Sequence, residues 1–149
     1  MQIKVYTASE KDLPVLASIE RAIFSDAWSD ASLASHLSSP FSVSLLLSVD
    51  GLPIASLTGS LLPPEGEIYR VAVLPDYRRQ GFGARLLSAF LSLAEGRGAE
   101  ELFMEVRESN SPAQALYASF GFTEYARRRG YYADPREDAV LMKRNSRKD

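Results

Sequence analysis

Two stretches of this chain carry residue types that can do chemistry. The first is "PDYRRQGFGARLL", residues 75–87, where two arginines and two glycines separate an apolar strand pattern from an apolar helix pattern. Gly81 and Gly83 cost backbone entropy and add no side-chain packing, so bare backbone there answers another need. A strand, a glycine-rich turn and a helix form the general arrangement for holding phosphate. The first N–H groups of a helix lack intrahelical acceptors, its dipole favours an anion, and nearby arginines add charge-assisted bonds. The second stretch is "LFMEVRESNSPAQALYASFGF", residues 102–122. Glu105 interrupts its apolar strand. A carboxylate there is either paired, with Arg107 or Arg128 as candidates, or raised in pKa towards the range of a useful base. Tyr117 lies on the helical stripe Ala113, Leu116, Tyr117, Phe120 and reads on periodicity as a core tyrosine.

Two familiar phosphate sites are excluded. The chain has no G-x-x-x-x-G-K-[ST], and Leu86 stands where a dinucleotide fingerprint requires its third glycine. The pattern is instead R-x-x-G-x-G, on Arg78, Gly81 and Gly83.

Composition narrows the chemistry further. With no cysteine there is no thiol nucleophile and no cysteine metal site, and the lone His36 argues against a histidine-based metal centre or a serine–histidine triad. Carboxylates and tyrosines remain as acid–base candidates, and no metal is expected. A net charge of −2 argues against nucleic-acid binding. The basic clusters at Arg78–Arg79, Arg127–Arg129 and Lys143–Lys148 read as solvated faces, with a small anionic ligand open at any of them. No apolar run approaches the ~20 residues of a membrane helix. The start, "MQIKVYTASEKD", has no signal-peptide core, which predicts a cytoplasmic protein without a membrane partner.

The elements that must position these residues follow from hydrophobic periodicity. "QIKVYTA" reads as an edge strand. A capping box from Ser9 to Asp12 opens a helix to about Phe24, and Ser29 caps a second, "DASLASHL". "FSVSLLLSV", the turn Asp50–Gly51 and "LPIASLTGSLL" predict a hairpin. "PPEGE" is expected to be a loop before the strand "IYRVAV". A helix over 82–95 buries Phe82, Leu86, Leu87, Phe90, Leu91 and Ala94, and "ELFMEV" is a strand. Ser111, as cap, with Pro112 and Gln114 starts a short helix that Gly121 stops; "FTEYARRRGYY" and "EDAVLMKR" close as two strands. The order β-α-α-β-β-β-α-β-α-β-β predicts one α/β domain over 1–149, with a polar tail from about 145.

In its R-x-x-G-x-G loop, and in the asparagine, tyrosine and closing Gly-Phe of the later stretch, the sequence is similar to the GCN5-related N-acetyltransferases. "RRRGYY" and "EDAVLMK" resemble, more narrowly, the ribosomal-protein-alanine N-acetyltransferases. The resemblance implies the GNAT fold, a mixed α/β sheet of about six or seven strands flanked by about four helices. It implies acetyl-CoA as co-substrate. Arg79, Gln80, Gly81, Phe82, Gly83 and Ala84, with Arg78, then cradle its pyrophosphate. Val71, Ala72 and Val73 offer backbone groups to the pantetheine arm and thioester, and Asn110 touches the cofactor beyond. By the same resemblance Glu105 is the general base, with Glu67 as rival, and Tyr117 is the acid that protonates the leaving thiolate. Tyr131 and Tyr132 grip the acceptor peptide, and Trp28 lies near it. Ala27 replaces the proline usual in the family's P-W-S turn, which bears on acceptor preference. The implied acceptor is a protein N-terminus, possibly ribosomal, and the implied state is a monomer. Lysine side chains or small amines as acceptors, and an acyl-CoA-binding module without turnover, are the alternatives.

Overall fold

The computed structural model describes residues 1–145; of the polar tail, residues 146–149 lie outside the described residues. The elements run β1 (Ile3–Thr7), α1 (Leu13–Ile23), α2 (Asp30–Ser38), β2 (Ser42–Val49), β3 (Leu52–Leu62), β4 (Glu65–Val73), α3 (Phe82–Gly96), β5 (Glu101–Arg107), α4 (Ser111–Ser119), β6 (Thr123–Tyr132) and β7 (Glu137–Asn145). This is the expected order. Three local readings change. The segment Ser9–Asp12 first winds a short 3-10 turn, Glu10–Asp12, before α1 begins. Only Pro63 and Pro64 separate β3 from β4, so Glu65 to Glu67 of "PPEGE" are strand, paired with Leu62, Leu61 and Ser60. The cap of α4 is Asn110, whose side-chain oxygen accepts from the Ala113 N–H at 3.2 Å, rather than Ser111.

One seven-stranded sheet has the order β1-β2-β3-β4-β5-β7-β6. Asp50 and Gly51, with φ of 50° and 85°, make the tight β2–β3 turn that the sequence predicts. β4 and β5 run parallel, joined through α3, and all other neighbours are antiparallel. β7 returns between β5 and β6, which leaves β6 at the edge.

Alternation in the strands builds two cores. Leu45 and Leu47 of β2, Ile68 of β4 and Leu102, Met104 and Val106 of β5 face α3, where Leu86, Leu87 and Phe90 meet them. Leu46 and Ala72 face the other way, against Leu16 and Ile19 of α1. Both sides of β2 and β3 are therefore covered, which explains their nearly unbroken apolar runs.

Candidate active site

The sheet opens where the chemistry is expected. β4 and β5 pair from Glu65–Glu101 to Ile68–Met104 and no further. At the same place the β3–β4 register shifts between Thr58 and Gly59, leaving Tyr69 as the extra residue. A bulge re-aims the side chains that follow it. Here it sends Arg70 and Ala72 to the α1 side and Val71 and Val73 to the α3 side. Leu74 donates its N–H to Ile54 of β3, so strand alternation turns the backbone groups of Val71 and Val73 away from β3, into the gap left by β5.

Glu67 and Glu105 lie on the face of β4 and β5 opposite α3, beside this opening. They line a cleft of about 590 Å³ with Phe103, Pro63, Pro64 and Tyr125. Glu67 titrates above the usual carboxylate range, first because it is partly buried and second because Glu105 is near. Neither arginine proposed as a partner for Glu105 reaches it. Arg107 pairs with Glu137 at 3.2 Å, and the Arg128 guanidinium lies 5.0 Å from the centre of the Tyr131 ring. The carboxylate of Glu105 instead acts on Tyr131, and together with burial it holds that phenol above its ordinary pKa. The Tyr132 phenol is pushed up to about 12, by burial first and then by Glu105.

Tyr117 approaches from the other side of the sheet. It is buried in the α3 core, edge-on to Phe122 with ring centres 6.2 Å apart. Burial, and then Tyr132, lift its phenol well above the ordinary value, so it keeps its proton across the physiological range. Tyr132 thus feels both Glu105 and, more weakly than its own burial, the other tyrosines around it, while Glu67 and Glu105 are the two predicted residues that line the cleft itself.

The glycine loop leaves bare backbone at the start of α3. Arg79 and Gly81 have φ of 64° and 82°, and a Cβ on Gly81 would meet only open space. The first hydrogen bond of α3 runs from the Arg85 N–H to the Gly81 carbonyl at 3.1 Å. The N–H groups of Phe82, Gly83 and Ala84 therefore point out of the helix end without an intrahelical acceptor. Gly83 is different: its Cβ would touch Leu116 at 3.4 Å and the side chains of Val71 and Val73 at 4.0 Å, which is ordinary contact. Arg78 donates its Nε to the Val73 carbonyl at 3.1 Å and so also ties the loop to β4. Gln80 reaches back to Asp76 at 3.5 Å, and Asn110, as the cap of α4, has its oxygen engaged.

Of the predicted site residues only Glu67 and Glu105 are in the cleft lining; Trp28, Tyr131 and Tyr132 are not. Trp28 packs against His36 and Tyr69 at 5.5 and 5.8 Å, and its N–H meets the buried Glu20. His36 is structural: its Nε2–H donates to the Val43 carbonyl at 3.2 Å, and burial lowers its pKa. Arg127 is a surface residue bridging Glu108 and Glu124. Sequence reasoning missed Arg107 as more than a partner for Glu105; its position two residues further along the same face was the available signal.

The profile of the Acetyltransferase (GNAT) family matches residues 13–122. The chain is 38% identical over 133 residues to the [ribosomal protein bS18]-alanine N-acetyltransferase of Escherichia coli (strain K12), an alignment spanning 88% of this chain and 89% of that protein. The crystal structure of the ribosomal-protein-S18-alanine N-acetyltransferase from Escherichia coli superposes with a TM-score of 0.92 at 34% identity, covering 99% and 96% of the two chains. At 19% identity the NatC complex bound to Gag peptide and CoA shares the fold, with a TM-score of 0.87 over 99% of this chain and 100% of that one. This chain belongs to the GNAT acetyltransferase family and is an N-acetyltransferase; enzymes of the family use acetyl-CoA.

Proposed function

We propose that this chain transfers the acetyl group of acetyl-CoA to the N-terminal α-amine of a protein, with the alanine N-terminus of ribosomal protein bS18 as its acceptor. One observation carries the reading beyond family membership. Glu105, unpaired with any cation among the described residues, stands beside the β4–β5 opening, with Glu67 in the same cleft and Tyr131 and Tyr132 against it. A carboxylate beside tyrosines at the mouth of a gap suits a base that meets an incoming amine.

The demand on that base is modest. An α-amine with a pKa near 7.8 is about one-third neutral at pH 7.5, whereas a lysine is neutral in roughly one molecule in a thousand. Glu105 takes the proton the amine loses as its nitrogen bonds to the carbonyl carbon, directly or through a water. Glu67 is the second carboxylate able to do so. An N–H of Val71 or Val73 polarises the carbonyl oxygen from the open edge of β4. Tyr117 carries its proton on the opposite side of the opening and gives it, or a strong hydrogen bond, to the sulfur as the carbon–sulfur bond breaks.

Acetyl-CoA supplies the activated acetyl thioester. The chain fits it in the loop Arg78 to Ala84, where bare backbone, free helix N–H groups and exposed arginines converge, and Asn110 lies at the start of the adjacent α4. The absence of cysteine agrees with direct transfer in a ternary complex. Tyr131 and Tyr132 contact the acceptor backbone.

Mass spectrometry of a peptide carrying the bS18 N-terminus, incubated with acetyl-CoA and the wild type or Glu105→Gln, tests the reading. One acetyl on the α-amine, lost or strongly slowed in the variant, supports it. Acetylation of an internal lysine in place of the α-amine, or no product from the wild type, overturns it.

A further inference from the structure

The segment carrying Tyr131 and Tyr132 is poorly held by its own hairpin. After a first irregularity at Tyr125, the β6–β7 register runs to Arg128–Ala139 and then jumps to Tyr132–Glu137, so residues 129–131 lie outside the ladder pairs. The Gly130 N–H is met by the Asp138 carboxylate at 2.8 Å, a side chain standing in for a strand partner. Strand pairing thus holds Tyr132 by a single isolated pair, opposite Glu137, and does not fix Tyr131 at all.

Arg107 supplies the missing constraint. Its Nη1 donates to the Pro135 carbonyl at 2.9 Å and to Glu137 at 3.2 Å, and its Nη2 donates to the Ala133 carbonyl at 3.1 Å. The guanidinium also lies 4.5 Å from the centre of the Tyr132 ring. Glu137 spends its other oxygen on the Ser109 N–H at 2.8 Å, in the loop that leads to Asn110 and α4. Ser25, from the α1–α2 connection, donates to the Asp134 carbonyl at 2.8 Å. Three successive carbonyls of the β6–β7 turn, at 133, 134 and 135, are thus each bound by a side chain from elsewhere, and two of the three by Arg107.

Arg107 lies two residues beyond Glu105 on β5, and strand alternation places both on one face. We propose that Arg107 is a positioning residue of the acceptor site. Its planar fork sets the β6–β7 turn, and through it Tyr131 and Tyr132, at a fixed place relative to Glu105. A lysine has one point of charge and cannot bind two carbonyls, a carboxylate and a ring face in one plane. The inference rests on the reading of the hairpin as part of the acceptor site.

The test uses Arg107→Met and Arg107→Lys in the full chain, with two readouts. In hydrogen exchange, amides of residues 129–136 exchange at least about tenfold faster in Arg107→Met than in wild type, while those of α3 are unchanged. In steady-state kinetics with the bS18 peptide, KM for the peptide rises by about tenfold or more while KM for acetyl-CoA stays within about twofold. Arg107→Lys falls between wild type and Arg107→Met on both, and it serves alone if the methionine variant fails to fold. Unchanged exchange in 129–136 overturns the clamp. Faster exchange with an unchanged peptide KM overturns its role in positioning the acceptor. A wild type inactive on the peptide instead overturns the proposed acceptor, and the exchange measurement then still decides whether Arg107 holds the turn.

Discussion

Glu67 and Glu105 share one cleft at the point where β4 and β5 separate, and the charge of Glu105 helps to hold the Glu67 carboxyl above its ordinary pKa. A carboxyl with a raised folded-state pKa binds its proton more tightly folded than unfolded. Stability from this group is therefore greatest in acid and is lost as pH rises from the unfolded value, 4.5, through the folded one. Glu67→Gln is expected to be more stable than wild type at pH 7, with the gain vanishing in acid, as urea unfolding at both pH values will show. Glu105→Gln is expected to return Glu67 towards its ordinary pKa, readable by NMR titration. In activity the order reverses. Glu105→Gln is expected to lower kcat by about 10²–10³-fold, and Glu67→Gln by about tenfold or less. Equal losses, or a larger one for Glu67, would transfer the role of base to Glu67.

Tyr117 is buried and its pKa is raised, so it holds its proton throughout the working range. Tyr117→Phe is expected to lower kcat by about 10–100-fold at every pH without displacing the alkaline limb of the pH–rate profile. The ring and its contact with Phe122 survive the change, so stability should shift by no more than about 1 kcal/mol. A variant as active as wild type would return Tyr117 to a packing role.

Much of the fold is local and was legible. Alternation marked β1, continuous apolar runs marked β2 and β3, Asp50–Gly51 marked the hairpin, and the stripe from Phe82 to Ala94 marked α3. Glu105 stood out because one charge broke an apolar strand. What stayed hidden depends on partners far apart in sequence. The insertion of β7 between β5 and β6 is a choice of neighbour, and no periodicity encodes it. The Thr58/Gly59 bulge moves Val71 and Val73 to the α3 face, while "PPEGE" looked like a loop because its prolines and glycine masked the start of β4. Tyr117 was visible as a core residue, and the structure packs it in the α3 core against Phe122. Arg107 was visible only as a cation near Glu105, because its acceptors at 133, 135 and 137 lie about thirty residues on.

The two loop glycines should separate in experiment. Gly81 sits at φ +82°, so Gly81→Ala is expected to cost about 1 kcal/mol of folding stability through backbone strain. Gly83 lies inside α3 in ordinary contact distance of Leu116, and alanine there is expected to leave stability unchanged or higher by up to about 1 kcal/mol. If the loop holds the cofactor, Gly83→Ala still weakens acetyl-CoA binding, by about fivefold or more, because it narrows the passage between α4 and β4. Thermal unfolding together with calorimetric titration of acetyl-CoA would read both effects. Undiminished affinity in both variants would argue against the cradle.

The α1–α2 connection is held by a buried ion pair whose loss should be costly. Glu20 is 4% exposed and meets Arg70 at 3.1 Å, while Arg70 also contacts Asp26 at 3.2 Å and covers the Phe24 ring at 4.4 Å. Burial raises the Glu20 pKa, and Arg70 opposes that shift. Arg70→Met removes the opposing charge and leaves the carboxylate with the Trp28 N–H alone, at 3.2 Å. The expected cost is about 3 kcal/mol at pH 8. Because the variant's Glu20 then titrates still higher, its deficit should shrink as pH falls through that raised value and the buried group takes up its proton. Adding Glu20→Gln to Arg70→Met should recover most of the loss, since no buried charge is left unpaired. Chemical denaturation of the two variants at pH 5 and pH 8 measures both statements. A deficit below about 1 kcal/mol at pH 8, or one that the second substitution fails to reduce, would mean that the Arg70 stem on Phe24 holds the loop and the ion pair does not.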